Sequence, residues 1–261
     1  RPLVERGATA KKITVGKEAI QALPIRDMSE LYSLQSGVVK VESKTRGIPN
    51  QEERGLEEVH VRGGRSGEIA YMIDGLYIRN PIFGGIGSST RLNLFAIKRW
   101  DWQPGGFNAE YGGRISSIMD IKTIDGNKKN IGGKLSANTF GSKLFVEGPL
   151  GSKGNTSFIF SGKTSYLDKS SELFYKYPTL YFDKKGLPYS YTDLYGKVST
   201  KGKNGSKLNV FGFNFADKVN YEGISELNWN SKGVGSEFIL IPGGSPVLIE
   251  GNFAWSSYNT I

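Results

Sequence analysis

His60 is the only histidine of the 261-residue chain and cysteine is absent, so groups for acid–base or thiolate chemistry are scarce. A Ser-His-Asp relay would have to use His60. That residue lies between Val59 and Val61 in a stretch that alternates as a short strand does. One histidine without cysteine also excludes a soft-metal cluster. Glu57 and Glu58 are adjacent and read as solvated carboxylates, not as a separated acid and base. Ser161-Gly162-Lys163-Thr164 ends as a phosphate-binding loop ends, but the position of the leading glycine holds Ser157. The segment also alternates as a strand instead of opening a helix. Gly84 to Ser89 is glycine-rich without dinucleotide spacing and reads as a loop. Phe211-Gly212-Phe213-Asn214-Phe215 is aromatic as an RNA-binding strand is, yet lacks the basic-Gly pair before it. The expectation is a protein that is not an enzyme, with no cofactor, no metal and no nucleic-acid partner.

Composition narrows the class. Hydrophobic residues make up 38%, aromatics reach 12% and there are 35 glycines, a mixture that favours strands and turns. No apolar run approaches the roughly 18 residues of a spanning helix, so any membrane crossing is expected to use strands. Arg1 to Arg6 lack the apolar core of a leader peptide, and the chain is read as starting within a longer protein. Absence of cysteine suits passage through an oxidising compartment. The net charge of +9 is spread from Lys11 to Lys232 with Asp and Glu between, as on a solvated surface.

Two halves follow different patterns. Up to about residue 123, short strands are expected at 38–42, 58–62 and 115–121. Asp27-Met28-Ser29-Glu30 is a helix start, Leu31 and Leu34 share a face, and Gly37 stands where a left-handed cap belongs. Asp74-Gly75 supplies the positive φ values of a tight hairpin between Met72-Ile73 and Leu76-Tyr77. This half reads as a small α+β domain with a thin core.

From about Gly132, long alternating segments take over. Phe158, Phe160, Gly162, Thr164 and Tyr166 oppose Ser157, Ile159, Ser161, Lys163 and Ser165. Val247, Ile249, Gly251, Phe253 and Trp255 oppose Leu248, Glu250, Asn252, Ala254 and Ser256, and Leu194, Gly196 and Val198 oppose Tyr195, Lys197 and Ser199. Strands of about ten residues with one apolar and one polar face are what a membrane barrel requires. A soluble sandwich alternates too, but its strands are usually about five or six residues long. The segment 207–215 stays unoriented, because Phe211, Phe213 and Phe215 share a face with Lys207 and Asn209.

Four stretches in order resemble the plug domain of TonB-dependent receptors. Leu23-Pro24 through Gly37-Val38-Val39 resembles the helix leading into its "GV-V" strand, and Val59-His60-Val61-Arg62-Gly63 its "I-I-RG" strand. Tyr71 to Ile78, with Asp74 and Gly75, is similar to its "LLDG-PI" hairpin. Pro104-Gly105-Gly106, Tyr111-Gly112-Gly113 and Ile118 to Thr123 resemble its closing block. Gly63, Gly75, Gly105 and Gly112 are expected at turns where a Cβ would clash. Tyr111 is expected to bury its ring and keep its hydroxyl on a polar partner. In family members the arginine matching Arg62 engages glutamates of the barrel wall. Many members carry a second arginine before the "YG", where this chain has Glu110; Arg114 or an Arg62–Glu110 contact would be the substitute.

The resemblance implies a fold class of an α+β plug followed by antiparallel transmembrane β-barrel strands. Residues 1–125 would be the plug, with 1–12 a linker after a TonB box upstream of Arg1. Residues 126–261 would be the first seven or so strands of a truncated barrel of about twenty-two, leaving roughly fifteen beyond Ile261. It further implies an outer-membrane transporter of a Gram-negative, Bacteroidota-like bacterium. Such a protein binds an extracellular ligand and imports it, energised by TonB and the inner-membrane proton gradient. Expected partners are TonB, that ligand, outer-membrane lipid, and a surface lipoprotein or other outer-membrane subunits. The alternative is a plug-barrel subunit of a larger surface complex without its own transport role. Arg79, Asn80 and Phe83, after the hairpin, resemble a ligand-facing apical loop, and Ser43 to Arg54 resembles another.

Overall fold

The computed structural model describes residues 12–23, 34–41, 58–64, 68–78, 92–107, 111–113, 115–139, 141–152, 154–174, 189–221, 225–243 and 247–260. Two compact units divide the chain, one drawn from the spans 1–90 and 97–123, the other from 91–96 and 124–261.

The first unit holds a five-stranded sheet. Its strands are β1 (Ile13–Gly16), β4 (Ile69–Ile73), β5 (Leu76–Ile78), β6 (Ile97–Gln103) and β7 (Ser117–Thr123), in the order β1-β6-β7-β4-β5. The pairs are antiparallel except β4 with β7, which run parallel from Ile69↔Ser117 to Ile73↔Ile121. All five residues of β4 are buried and all of β7 except Lys122. A sheet covered on both faces needs near-continuous apolar strands, which Ile69-Ala70-Tyr71-Met72-Ile73 provides. Trp100 and Trp102, both fully buried, stack with ring centroids 5.7 Å apart. Alongside stand α1 (Lys17–Ala22) and the pair β2 (Val38–Val41) with β3 (Glu58–Val61). Gly37 has φ +82°, as a left-handed cap requires. The helix expected before it lies mostly outside the described residues.

The second unit is a seven-stranded antiparallel meander: β8 (Gly132–Ala137), β9 (Gly141–Leu150), β10 (Thr156–Ser165), β11 (Tyr189–Lys201), β12 (Lys207–Tyr221), β13 (Ser225–Leu240) and β14 (Ile249–Thr260). A helix α2 (Leu167–Phe174) follows β10. Strands of 10 to 16 residues from β9 onward are two to three times the usual soluble length.

The faces of this sheet are inverted relative to a soluble protein. Ser157, Ser161, Lys163, Asp193, Lys197, Ser199 and Asn209 are buried. Leu144, Phe160, Val198, Val210, Val234, Phe253 and Trp255 are exposed, Phe253 by 65%. Residues directly opposite in an antiparallel pair share a face, so the register assigns every strand. Phe211, Phe213 and Phe215 stand opposite Lys197, Tyr195 and Asp193 on the buried face, which orients the strand that alternation alone left open. They face Gly235, Gly233 and Ser231 across β13. A Cβ on Gly235 would lie 2.5 Å from Phe211 Cζ, so the ring covers the glycine and fills its missing side chain.

Candidate functional site

Arg62 and Gly105 meet Gly37 and Ser116 where the ends of β3 and β6 approach the start of β7, whereas Asp74 and Gly75 stand at the other end of β7. Arg62 follows β3 with φ +49°, a left-handed conformation unusual for a residue with a Cβ. Its amide donates to Gly37 O at 2.8 Å. Its Cγ lies 3.4 Å from where a Cβ on Gly37 would stand, and its Nη1 3.8 Å from that position on Gly105. The Arg62 stem therefore runs between two glycines of positive φ, 82° and 151°. Ser116 Oγ donates to Val61 O at 3.3 Å, and a Cβ on Gly64 would come within 2.7 Å of Ser116 Cβ. His60 donates from Nδ1 to Gly64 O at 3.1 Å; a carbonyl can only accept, so the proton is on Nδ1 and the ring serves the turn.

Asp74 is the tightest of these positions. It is buried with φ +48°, followed by Gly75 at +84°, the two positive values of a type I′ turn. Its carboxylate accepts from Thr123 N at 3.0 Å and from Thr123 Oγ1 at 2.5 Å, while its own amide donates to Ile121 O at 2.9 Å. One aspartate thus shapes the β4–β5 hairpin and fastens the end of β7. The motif predicts the turn; the bond to Thr123, 49 residues away, is a tertiary fact.

Tyr111 packs with Phe107 against Ala70, Met72 and Ile118. The expected clash is absent at three glycines, for around a Cβ on Gly105 the nearest atoms lie at an ordinary 3.8 and 3.9 Å. Nothing lies within 4 Å of a Cβ on Gly63 or Gly112. Gly63 is required by its φ of +82°, whereas Gly112 is held to glycine neither by space nor by a positive φ. The glycine that sterics do require, Gly64, was not singled out by the sequence. Arg79, Asn80 and Phe83 of the expected ligand loop lie outside the described residues, as do Glu110, Arg114 and the stretch from Ser43 to Arg54.

Two ionic nodes escaped sequence reading because their members are far apart. Asp101 of β6, buried, accepts from Thr14 Oγ1 at 2.7 Å and from Arg99 Nε at 2.9 Å, with Lys12 Nζ at 3.2 Å. Three donors on one carboxylate fix β1 to the sheet edge. Asp125, in the second unit, lies between Lys207 Nζ at 2.8 Å and Lys197 Nζ at 3.4 Å, with Ser199 Oγ at 3.5 Å. Ser157 Oγ donates to its carbonyl at 2.5 Å. No group of three or more potential metal-ligating side chains occurs among the described residues. Among the described residues these contacts fasten elements together.

Comparison with known proteins gives a family model for part of the chain and a fold for most of it. Residues 5–117 match the TonB-dependent Receptor Plug Domain. The matched span covers the resembling stretches as far as Ser117 and somewhat less than half of the chain. No curated protein matches the chain. Among solved structures, the chain is similar to a mutant of the ferric enterobactin receptor from Pseudomonas aeruginosa, at TM-score 0.63 and 14% identity over 97% of this chain and 41% of that one. It is similar to the FrpB iron transporter from Neisseria meningitidis in its apoprotein form, at 0.65 and 15% over 96% and 40%. A double mutant of the hemophore receptor HasR from Serratia marcescens, in complex with its hemophore HasA and heme, gives 0.65 and 12% over 96% and 38%. The likeness covers the plug and the meander together, so the fold is a plug domain followed by antiparallel strands of the kind found in TonB-dependent receptors. The chain spans about two fifths of the length of these structures.

Proposed function

We propose that the chain is the plug and first wall strands of an outer-membrane receptor that binds an extracellular ligand and imports it with energy from TonB. The observation that carries this reading is the inverted seven-stranded sheet that follows the plug domain. An exposed apolar face spanning seven strands has no place in water, where contiguous patches rarely exceed a few hundred Å². It suits lipid, and its long strands suit a closed barrel, the one sheet architecture that leaves no unpaired edge in a membrane. A soluble sandwich would have buried Phe160, Val210 and Phe253 and exposed Lys163 and Lys197.

In this reading the plug signature residues keep the domain folded, and recognition belongs to loops. Arg79 and Asn80 are the hydrogen-bond donors and Phe83 the stacking surface of the plug's ligand loop. The full-length protein is tested for uptake of a panel of labelled iron chelates, cobalamin and oligosaccharides in strains with and without TonB. The expected result is accumulation of one ligand that requires both proteins. Accumulation unaffected by loss of TonB overturns the reading and favours a binding subunit.

A further inference from the structure

Asparagine precedes glycine once in the chain, at Asn204-Gly205. The dipeptide lies in the turn 202–206 between β11 and β12. Asn204 is exposed, and Gly205 has φ +92°. The pair carries chemistry of its own. Glycine leaves its backbone nitrogen unshielded by a side chain, and that nitrogen can close on the preceding carboxamide as a cyclic imide. The turn holds each group that such a step would use. Gly205 N, the nucleophile, donates to Gly202 O at 3.2 Å. Asn204 Oδ1, on the carbon to be attacked, accepts from Ser206 N at 3.2 Å, the local bond by which asparagine shapes turns. Asn204 Nδ2, the leaving group, donates to Ile241 O at 2.6 Å.

Ile241 N donates in return to Ser206 Oγ at 2.9 Å. Two hydrogen bonds of opposite direction thus join this turn to the chain just past β13. A Cβ on Gly205 would lie 3.2 Å from Ile241 Cδ1, so the isoleucine also covers the glycine. These contacts pull in different chemical directions. The Ser206 amide polarises the carboxamide carbonyl and would stabilise the oxyanion formed on attack. The bond to Gly202 O engages the proton that the nucleophile must lose, and the bond to Ile241 O fixes the carboxamide and its nitrogen. Breaking the Ile241 contact frees the leaving group and keeps the activating bond. The two Asp-Gly pairs of the chain are held more closely. Asp74 is buried with its carboxylate on Thr123, and Asp125 lies between Lys197 and Lys207. A carboxylate is also a poorer electrophile than a carboxamide.

We propose that Asn204 is a site of spontaneous deamidation, restrained in the folded protein by its contact with Ile241. Gly205 N loses its proton to solvent base and bonds to Asn204 Cγ. The Cγ–Nδ2 bond breaks, and the nitrogen takes a proton from water and leaves as ammonia. Water then opens the cyclic imide at either carbonyl carbon. One product is aspartate. The other is isoaspartate, whose main chain runs through the former side chain. Either product puts a carboxylate where the amide donated to Ile241 O, and two acceptors cannot bond to each other. Conversion therefore makes the loss of this link permanent: a turn that has released Ile241 and reacted cannot take hold of it again by the same bond.

The test is peptide mapping by mass spectrometry of the full-length protein kept at mildly alkaline pH, either folded in detergent or unfolded in guanidinium. Enzymatic methylation of isoaspartate counts the second product. The expected result is conversion at Asn204 in the unfolded chain and much slower conversion in the folded one. Ser206→Ala removes the acceptor of Ile241 N and keeps the Asn-Gly pair. It is expected to quicken conversion of the folded protein about five-fold, the equilibrium equivalent of one net hydrogen bond, and to leave the unfolded rate unchanged. Asn204→Asp reproduces one product and is expected to speed amide hydrogen exchange at Ile241. An unfolded chain that stays unmodified at Asn204 overturns the site. Equal rates in folded and unfolded protein overturn the restraint, as does a folded Ser206→Ala protein that converts no faster. Unchanged exchange at Ile241 in Asn204→Asp overturns the loss of the link, and that measurement needs no comparison of reaction rates.

Discussion

Lys207 reaches across from the start of β12 to place its ammonium 2.8 Å from Asp125, the second residue of the chain after β7 ends. Lys197, on β11 and only 2% exposed at its side chain, approaches the other carboxylate oxygen at 3.4 Å. A buried ammonium left without its counter-charge is destabilising by several kcal/mol, and removing one partner exposes that cost. Asp125 is itself 27% exposed, so solvent recovers part of it. Asp125→Asn is expected to lower stability by about 2 kcal/mol, read as a lower midpoint of heat-modifiability in the full-length protein. Combining it with Lys197→Met should restore most of the loss. If the double variant is worse than the single one, the pair is not acting through charge.

At Asp74 the turn and the latch are separable. Asp74→Gly keeps access to positive φ and removes the bonds to Thr123, whereas Asp74→Ala removes both. Asp74→Asn tolerates the left-handed conformation and keeps one acceptor. The expected order of stability is wild type, Asn, Gly, Ala, with Ala lower by about 3 kcal/mol from two lost bonds and a strained φ. Protease accessibility of the plug in the full-length protein measures it. An Ala variant as resistant as the Asn variant would remove φ from the account.

Phe253 and Asn252 are neighbours on β14, both exposed, and they point to opposite faces. In water, Phe253→Lys and Asn252→Lys would cost little and cost the same. Against lipid, Phe253→Lys should cost about 2–4 kcal/mol near the midplane and Asn252→Lys almost nothing. The fraction of full-length protein inserted in the outer membrane is the readout. Equal insertion of the two variants would mean that both faces meet the same solvent.

Gly235 lies under the Phe211 ring, with Cζ, Cε1 and Cε2 all within 3.1 Å of a Cβ placed there. Because Phe211 is 97% buried and stacked on Tyr195 at 6.4 Å, it has little room to retreat. Gly235→Ala is expected to cost about 1–3 kcal/mol as overpacking, against no effect from Gly243→Ala, where nothing lies within 4 Å. A Phe211→Leu background should soften the Gly235 substitution. Identical penalties in both backgrounds would point to backbone conformation as the cause.

The sequence alone determined the two-part organisation, the strand-borne second half and the hairpin at Asp74-Gly75, because each is a local pattern. Period-two alternation fixes which residues share a face, and Asp-Gly fixes a primed turn, without reference to distant chain. It left 207–215 unoriented, since Phe211, Phe213 and Phe215 alternate with Gly212 and Asn214 and keep polar company on their own face. Register decided that strand: Phe213 stands opposite Tyr195 and Gly233, a relation between residues 18 and 20 positions away that no window of sequence contains. The glycine motif was legible as a motif but not in its reasons. Gly63 needs its φ, Gly64 needs its space against Ser116, and Gly112 needs neither. Asp101 and Asp125 were invisible for the same reason as Gly64. An isolated carboxylate among scattered lysines looks solvated until folding brings Lys12, Arg99, Lys197 and Lys207 to it, and the desolvation that gives those pairs their strength exists only in the folded chain.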